Sequence, residues 1–430
     1  MATLFGLRPA PPPRCRLLEL GCGDGGNIVP MAYALPGAAF TGVDLSAIAI
    51  EHAAALRDAL GLENLAFEQA DLAALRGLGT FDYVVAHGVY SWIAPPARDA
   101  LLAACRAHLA PHGVAYVSYD VLPGGHMREI TRQMLRWHLR DVDDPAERIA
   151  GARALLTTVS EAGQTQAEWA LRQSDPGLYH DELAEHHEAV LFTDFVAHAV
   201  RHGLRFLAEA DVFEMQADIL PPGLAGDTIE REQYLDFFKG RMFRQTLLCP
   251  AEAEPSEPAA GVVRDMLAAS PARAEGDPLA PGNVEFRGPL GGTLTTDHDP
   301  VKRALVRLGE AWPAAVPVAD LGASDAVCET LLRAFAVNFV QLHVWAPPIA
   351  TEPSERPVAS ALARLQVARG TRVTNLRHGS IDVADELGRR LIALLDGTRG
   401  RADLLHELDR PADELERSLQ GLARIALLER

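Results

Sequence analysis

The sequence predicts an α/β protein: an open, mostly parallel sheet with a helical insertion, followed by a smaller C-terminal α+β module. Three observations predict it. Over the first 120 residues, five short apolar runs alternate with helix-spaced segments, the rhythm of a parallel sheet. Each run ends in a glycine or polar turn, where ligands gather in open α/β sheets. After Asp120 that rhythm gives way to charge-rich helical spacing.

The runs fall at 16–20, 39–44, 64–70, 81–86 and 113–118. Ser46 can cap the helix after the second, and Pro95-Pro96 opens one carrying Leu101, Leu102, Cys105 and Leu109. Residues 1–120 therefore form a ligand-binding core. Residues 121–193 read as a helical insertion, because 127–188 holds no strand candidate. A helix over 193–202 then leads to apolar runs at 204–208 and 246–249, expected to complete the first sheet, so 194–250 returns to the core. Residues 251–282 are thick with Pro, Ala and Glu and read as a linker. The rest, 283–430, opens with a hairpin around Gly291-Gly292 and a helix from Asp299-Pro300. It ends in an amphipathic stripe of Val383, Leu387, Leu391, Leu394 and Leu395, stopped by Gly397. Thr398 can cap the next helix, and Pro411 precedes a third with Leu415, Leu419, Leu422 and Ala423. So compact a helical tail has winged-helix character.

Composition narrows the function. The 430 residues are 48% hydrophobic and 23% charged, an ordinary globular balance. No uninterrupted apolar run reaches the ~18 residues of a membrane-spanning helix, so no membrane insertion is expected. Residues 1–14 lack the pattern of a secretory signal. Five scattered cysteines without a C-x-x-C pair read as reduced thiols in a cytoplasmic protein. A formal charge of −18 argues against a nucleic-acid partner.

The strongest chemical signal is Glu19-Leu20-Gly21-Cys22-Gly23-Asp24-Gly25-Gly26-Asn27 at the first strand turn. Glycines there let backbone approach a ligand closely. Asp44, nineteen residues after Gly25, ends the second strand, where a carboxylate accepts hydrogen bonds from ribose hydroxyls. G-x-G-x-G differs from the dinucleotide spacing G-x-G-x-x-G, yet Gly26 supplies the later glycine too. Glu19 tilts the choice, since it suits the ammonium and sulfonium of S-adenosylmethionine and would repel a pyrophosphate. Asp71, ending the third strand, sits where an adenine amine can be hydrogen-bonded.

These segments resemble class I S-adenosylmethionine-dependent methyltransferases. Phe81-Asp82-Tyr83, His87-Gly88-Val89-Tyr90-Ser91-Trp92, 115–119 followed by Pro123-Gly124, and 241–249 narrow the resemblance. They are similar to the bacterial group carrying a "methyltransferase regulatory domain", which includes rickettsial outer-membrane-protein lysine methyltransferases. The resemblance implies a Rossmann-like core, a winged-helix-like C-terminal module, S-adenosyl-L-methionine as cofactor and a protein or peptide amine, lysine, as acceptor. Glu19, Gly21, Gly23, Gly25, Asn27, Asp44, Leu45, Asp71, Leu72 and His87 are then the cofactor-binding candidates. The chain begins at the segment corresponding to Leu4-Phe5-Gly6-Leu7, ahead of which the group usually carries a few tens of residues that can close over the cofactor. It also has Ser118-Tyr119-Asp120 where the group often has Ser-Tyr-Asn, and Pro123-Gly124-Gly125-His126 where it often has Pro-Gly-Trp-His, so acceptor choice is expected to differ.

Methyl transfer from a sulfonium depends on alignment and desolvation, and a lysine acceptor must first lose a proton from a reference pKa of ~10.4. Catalytic candidates are Tyr90 and Tyr119 to orient an amine, Asp120 to steer it and His126 to relay a proton, with Trp92 walling the acceptor pocket. Other features read as bland. His198 and His202 share a helix face but lack an H-E-x-x-H pattern, so no metal is expected. His180, His186 and His187 read as a solvated face, and Lys239, Arg241 and Arg244 as partners in internal salt bridges. A small-metabolite or natural-product methyltransferase, a regulatory protein that binds the cofactor without turnover, and, last, an NAD-dependent dehydrogenase remain as alternatives.

Overall fold

The computed structural model describes residues 1–224 and 226–429; Ala225 and Arg430, which fall within the expected ranges 194–250 and 283–430, lie outside the described residues. Seven strands build the central sheet: β1 (Arg16–Leu20), β2 (Ala39–Asp44), β3 (Leu65–Gln69), β4 (Phe81–Ala86), β5 (Leu109–Asp120), β6 (Leu204–Glu209) and β7 (Phe243–Pro250). Their order is β3-β2-β1-β4-β5-β7-β6. β1 to β5 pair in parallel, while β7 runs antiparallel to both its neighbours. This is a Rossmann-like class I methyltransferase fold with a mixed sheet. Chain order reverses between β1 and β4, which opens a crevice at the carboxyl ends of these strands.

Helix α1 (Ile28–Ala34) follows β1, α2 (Ala47–Leu60) follows β2 and α3 (Pro95–His108) follows β4. Ser46 caps α2 by accepting from the Ala49 N–H at 3.2 Å, and left-handed Gly61 ends it. β5 starts earlier than the apolar run at 113–118 because pairing slips between Phe81↔Leu109 and Tyr83↔Val114. Pro111, within that irregularity, hides the extra length from a propensity reading.

The insertion comprises α4 (Gly125–His138), α5 (Pro145–Glu161), α6 (Thr165–Leu171) and α7 (Asp175–Leu183). It buries its own core, including Leu135, Leu156 and Leu178. Helix α8 (Phe192–Arg201) returns to the sheet, burying Phe192 and Phe195 beside Tyr90 and Tyr119. Between β6 and β7, α9 (Thr228–Lys239) carries Glu232 and Asp236. Both reach Arg244 of β7, a fully buried guanidinium 2.6 Å from Glu209, 3.2 Å from Glu232 and 2.9 Å from Asp236. Arg241 meets Asp236 and Glu214, and Lys239 meets Glu214, so the basic cluster bonds internally.

The expected linker over 251–282 is folded instead. Leu267–Ala269 pairs with Val316–Pro317 and Gln341–His343, and Arg273–Ala274 pairs with Val284–Arg287. Val263, Met266, Ala268 and Ala272 are buried there, small and widely spaced apolar residues that the Pro/Ala/Glu composition masked. The single expected module at 283–430 has two cores, one reaching to Val340 and another from Ala350 to Leu428. The second packs four helices, Ala361–Val367, Glu386–Leu394, Arg401–Leu408 and Ala412–Arg424, against a wing of two strands, Arg372–Thr374 and Ser380–Asp382.

Candidate active site

At the carboxyl ends of β1 to β4 lies a cleft of about 650 Å³. Nine of the ten residues expected at the cofactor line it: Glu19, Gly21, Gly23, Asn27, Asp44, Leu45, Asp71, Leu72 and His87. Gly25 does not. A Cβ there would sit 2.9 Å from Val29 and 3.2 Å from Ala53, so Gly25 lets the loop pack on α1 and α2. Gly23 has φ of +53° with nothing within 4 Å of a Cβ position, which leaves room for a ligand against the backbone.

Glu19 is 2% exposed. Its Oε1 accepts from Asn27 Nδ2 at 2.6 Å, while Oε2 has no hydrogen-bond partner among the described residues. Burial pushes its carboxyl up to about 7, against the pull of the Asn27 hydrogen bond. Asp44 accepts from the Gly23 N–H at 2.9 Å and the Ser46 N–H at 2.8 Å, so it braces the glycine loop as well as facing the cleft. Asp71 accepts from the Ala73 N–H at 2.9 Å. Leu45 stands 68% exposed at the mouth. His87 Nδ1 lies 2.9 Å from Ser118 Oγ and 3.1 Å from the Tyr116 hydroxyl, and burial lowers its pKa.

The far end of the cleft is lined by Trp92, Ile93, Ala97, His180 and Asp181. Trp92 lies here with the His180 ring 5.1 Å and the His187 ring 4.6 Å from its own. The guanidinium of Arg128 lies 5.1 Å above the Trp92 ring and joins Asp120 at 3.0 Å, Asp181 at 3.0 Å and Glu182 at 3.2 Å. His180 Nδ1 is 2.9 Å from Asp181 Oδ1. Burial alone would raise the Asp181 carboxyl; the His180 hydrogen bond and the Arg128 charge outweigh it and hold it below its ordinary value. His180 and Asp181 belong to the insertion; His180 keeps the solvated face expected of it, its side chain 57% exposed. His187 departs from that expectation, with its side chain 2% exposed and Nε2 2.7 Å from Asp120. The hint was a His-Asp pair flanked at helical spacing by apolar Leu178 and Leu183.

The four catalytic candidates do not line the cleft. The Tyr90 hydroxyl lies 2.9 Å from His198 Nδ1, and the Tyr119 hydroxyl 2.9 Å from Thr246 Oγ1. Both rings pack on Phe195 of α8, so the phenols face the wrong side of the sheet for an acceptor. Asp120 is buried between Arg128 and His187. His126 is exposed on α4. His198 and His202 find a partner no local pattern announced: Asp99 of α3 accepts from both Nε2 atoms, at 2.9 and 3.0 Å. The three ligand-type atoms lie within 4.8 Å of one another, which a metal ion would require, and the hydrogen bonds already satisfy them.

One residue lining the cleft, Asn27, is met by the C-terminal wing. His378 Nε2 lies 2.9 Å from Asn27 Oδ1. Tyr33 of α1 donates to Glu429 at 2.5 Å and accepts from the Ala361 N–H at 2.9 Å, so the same module holds the helix that follows the glycine loop.

Three family models match the chain: a methyltransferase domain over residues 18–115, a predicted methyltransferase regulatory domain over 174–250, and the PKMT C-terminal winged helix domain over 355–425. The chain is 36% identical over 267 residues to an uncharacterized protein of Rickettsia prowazekii, covering 58% of this chain and about half, 48%, of that relative. A trans-aconitate 2-methyltransferase of Deinococcus radiodurans is 34% identical over 114 residues, 26% of this chain and 40% of that enzyme. Among solved structures, PKMT2 from Rickettsia typhi in complex with AdoHcy superposes with a TM-score of 0.87 at 23% identity, covering 99% of this chain and 96% of that one. That likeness establishes the fold, including its winged-helix end.

Proposed function

We propose that this chain, with its methyltransferase, regulatory and PKMT winged helix domains, is an S-adenosylmethionine-dependent methyltransferase whose acceptor is a protein or peptide amine, lysine. One observation carries the cofactor reading: Glu19 is buried at the root of the glycine loop with an oxygen that has no hydrogen-bond partner among the described residues. A buried carboxylate left so calls for a cation from a ligand. Glu19 holds the ammonium group, Asp44 accepts from the ribose hydroxyls and Asp71 from the adenine amine. Each carboxylate oxygen of Asp44 has a lone pair beyond those used by backbone N–H groups. Leu45 and Leu72 cover the adenine. When bound, the cofactor supplies an electrophilic methyl group on a sulfonium.

The protein-amine reading is supported by the far end of the cleft and by the regulatory and PKMT-type domains. Asp181, held ionised by Arg128 and His180, draws an ammonium past Trp92, whose ring excludes water. His180 takes the proton that a lysine must lose before its nitrogen has a lone pair. A membrane-embedded site is not needed for this chemistry, and among the described residues no helix is long and apolar enough to cross a membrane. All five cysteines are free and buried, which supports a reducing, cytoplasmic location.

Calorimetric titration with S-adenosylhomocysteine tests the cofactor. Binding that Asp44→Ala weakens by ~1–3 kcal/mol is the expected result, and a well-folded chain that binds none overturns the reading. Radiolabelled methyl transfer into cell lysate then tests the acceptor. Label in protein that acid hydrolysis returns as methyl-lysine is expected; label found in small molecules alone would replace the lysine reading with the metabolite one.

A further inference from the structure

The wing of the C-terminal module touches the last residue of the glycine loop, about 350 residues away along the chain. We propose that His378 is part of the cofactor-binding site: it fixes the Asn27 side chain so that Glu19 keeps its second oxygen free for the ligand. This rests on the cofactor reading above and goes beyond it by assigning a binding role to the winged-helix module.

The argument starts with Asn27, the last residue of the glycine loop. Its amide has one donor end and one acceptor end. The donor end, Nδ2, gives a hydrogen to Glu19 Oε1 at 2.6 Å. The acceptor end, Oδ1, faces His378 Nε2 at 2.9 Å, so the imidazole presents an N–H there. Together the two bonds define the amide's orientation. Without the imidazole, the amide can swing its N–H₂ group toward Oε2, the oxygen that has no partner in the protein, and occupy the place of the ligand's cation. Turned over, it would set Oδ1 against the carboxylate. Either change weakens cofactor binding without removing a residue that touches the cofactor. His378 is thus a positioning residue.

The wing is built to present this group. His378 adopts the left-handed conformation, with φ of +61°, at the tip of the turn joining the two wing strands. Glycine would take that conformation with less strain, but would bring no N–H at this reach. The turn is held firmly: Asn375 Oδ1 accepts from the Arg377 N–H at 3.0 Å and the Gly379 N–H at 2.7 Å, while Asn375 Nδ2 donates to the Ile425 carbonyl at 2.9 Å. The module that carries the turn is anchored on α1 through Tyr33, Glu429 and Ala361. A seven-residue helix therefore has the residue just ahead of it, Asn27, and its own penultimate residue, Tyr33, both held by the winged-helix module.

The test is calorimetric titration of S-adenosylhomocysteine into the full chain and its variants. His378→Ala is expected to weaken binding about 5–10-fold. His378→Gln, whose amide N–H can still donate to Asn27 Oδ1, is expected to stay within about twofold of the parent. In an Asn27→Ala background, His378→Ala is expected to add nothing, because the effect runs through Asn27. A parent chain that fails to bind overturns the cofactor reading itself. A parent that binds while His378→Ala matches it overturns this inference alone, as does a His378→Ala effect undiminished in the Asn27→Ala background. Tyr33→Phe loosens the same module without touching Asn27 and gives the baseline for mere undocking. Equal weakening by Tyr33→Phe and His378→Ala would overturn the positioning role.

Discussion

Two sets of carboxylates in this protein lie equally deep and behave in opposite ways. Glu209, Glu232 and Asp236 are at most 2% exposed, and Arg244 pairs with all three. Burial raises the Glu232 and Asp236 carboxyls, and the charge of Arg244 pulls them back. Glu19 is as buried, but among the described residues no ion pair includes it. Depth therefore does not separate the structural cluster from the functional site. What separates them is whether the protein supplies the opposite charge. In the first region the cation is a side chain of β7, and the cluster locks α9 to the sheet. In the second, under the function proposed above, the cation arrives with the ligand, which makes the same burial a binding device.

Removing the internal cation should break the first region hardest. Arg244→Met leaves Glu209 without its ion pair and Glu232 and Asp236 with Arg241 alone, and should lower the unfolding free energy by ~3–5 kcal/mol in urea melts at pH 7.5. Part of that loss should return as the pH falls and the carboxyls take up protons. A change under ~1 kcal/mol would mean that the cluster rehydrates and that the contrast drawn here is false.

The second region should respond to pH through its ligand. With the Glu19 carboxyl pushed up to about 7, it is mostly neutral at pH 6 and mostly ionised at pH 8. Affinity for S-adenosylhomocysteine should therefore drop about tenfold from pH 8 to pH 6. In Glu19→Gln the affinity should be low and this dependence should vanish. A parent profile as flat as the variant's would take Glu19 out of the cation site. The smallest effect sharpens the comparison from the apolar side. Leu45→Ser, at a side chain 68% exposed without ligand, should leave the melting temperature unchanged and weaken binding about two- to fourfold, since only part of an apolar side chain is covered by the adenine.

The sheet and the cofactor half of the site were legible because their signals are local. Glu19, the glycines, Asp44 and Asp71 each sit within a few residues of a strand end, so finding the strand places the group. The acceptor half was not, because it depends on which way a side chain faces and on what a distant segment brings. Tyr90 follows β4 and Tyr119 is next to last in β5, close to strand ends as the cofactor residues are, yet both turn toward Phe195, a residue of α8 that sequence position does not connect to them. Asp181 lines the cleft from α7, which Arg128 of α4 ties to β5. The folded stretch at 251–282 failed for a different reason. Its strands are two and three residues long, too short for periodicity to register.

The hydrogen bond between Tyr33 and Glu429 spans 396 residues. At translation rates of ~5–20 residues per second, roughly 20–80 s separate the emergence of its two ends. For that interval the glycine loop and α1 exist on the nascent chain without the wing or the second anchor. The cofactor cleft is thus among the last parts of the molecule to be finished, although most of its residues are among the first to be made. A growing polypeptide of this kind stays unable to grip its methyl donor firmly until synthesis is nearly over.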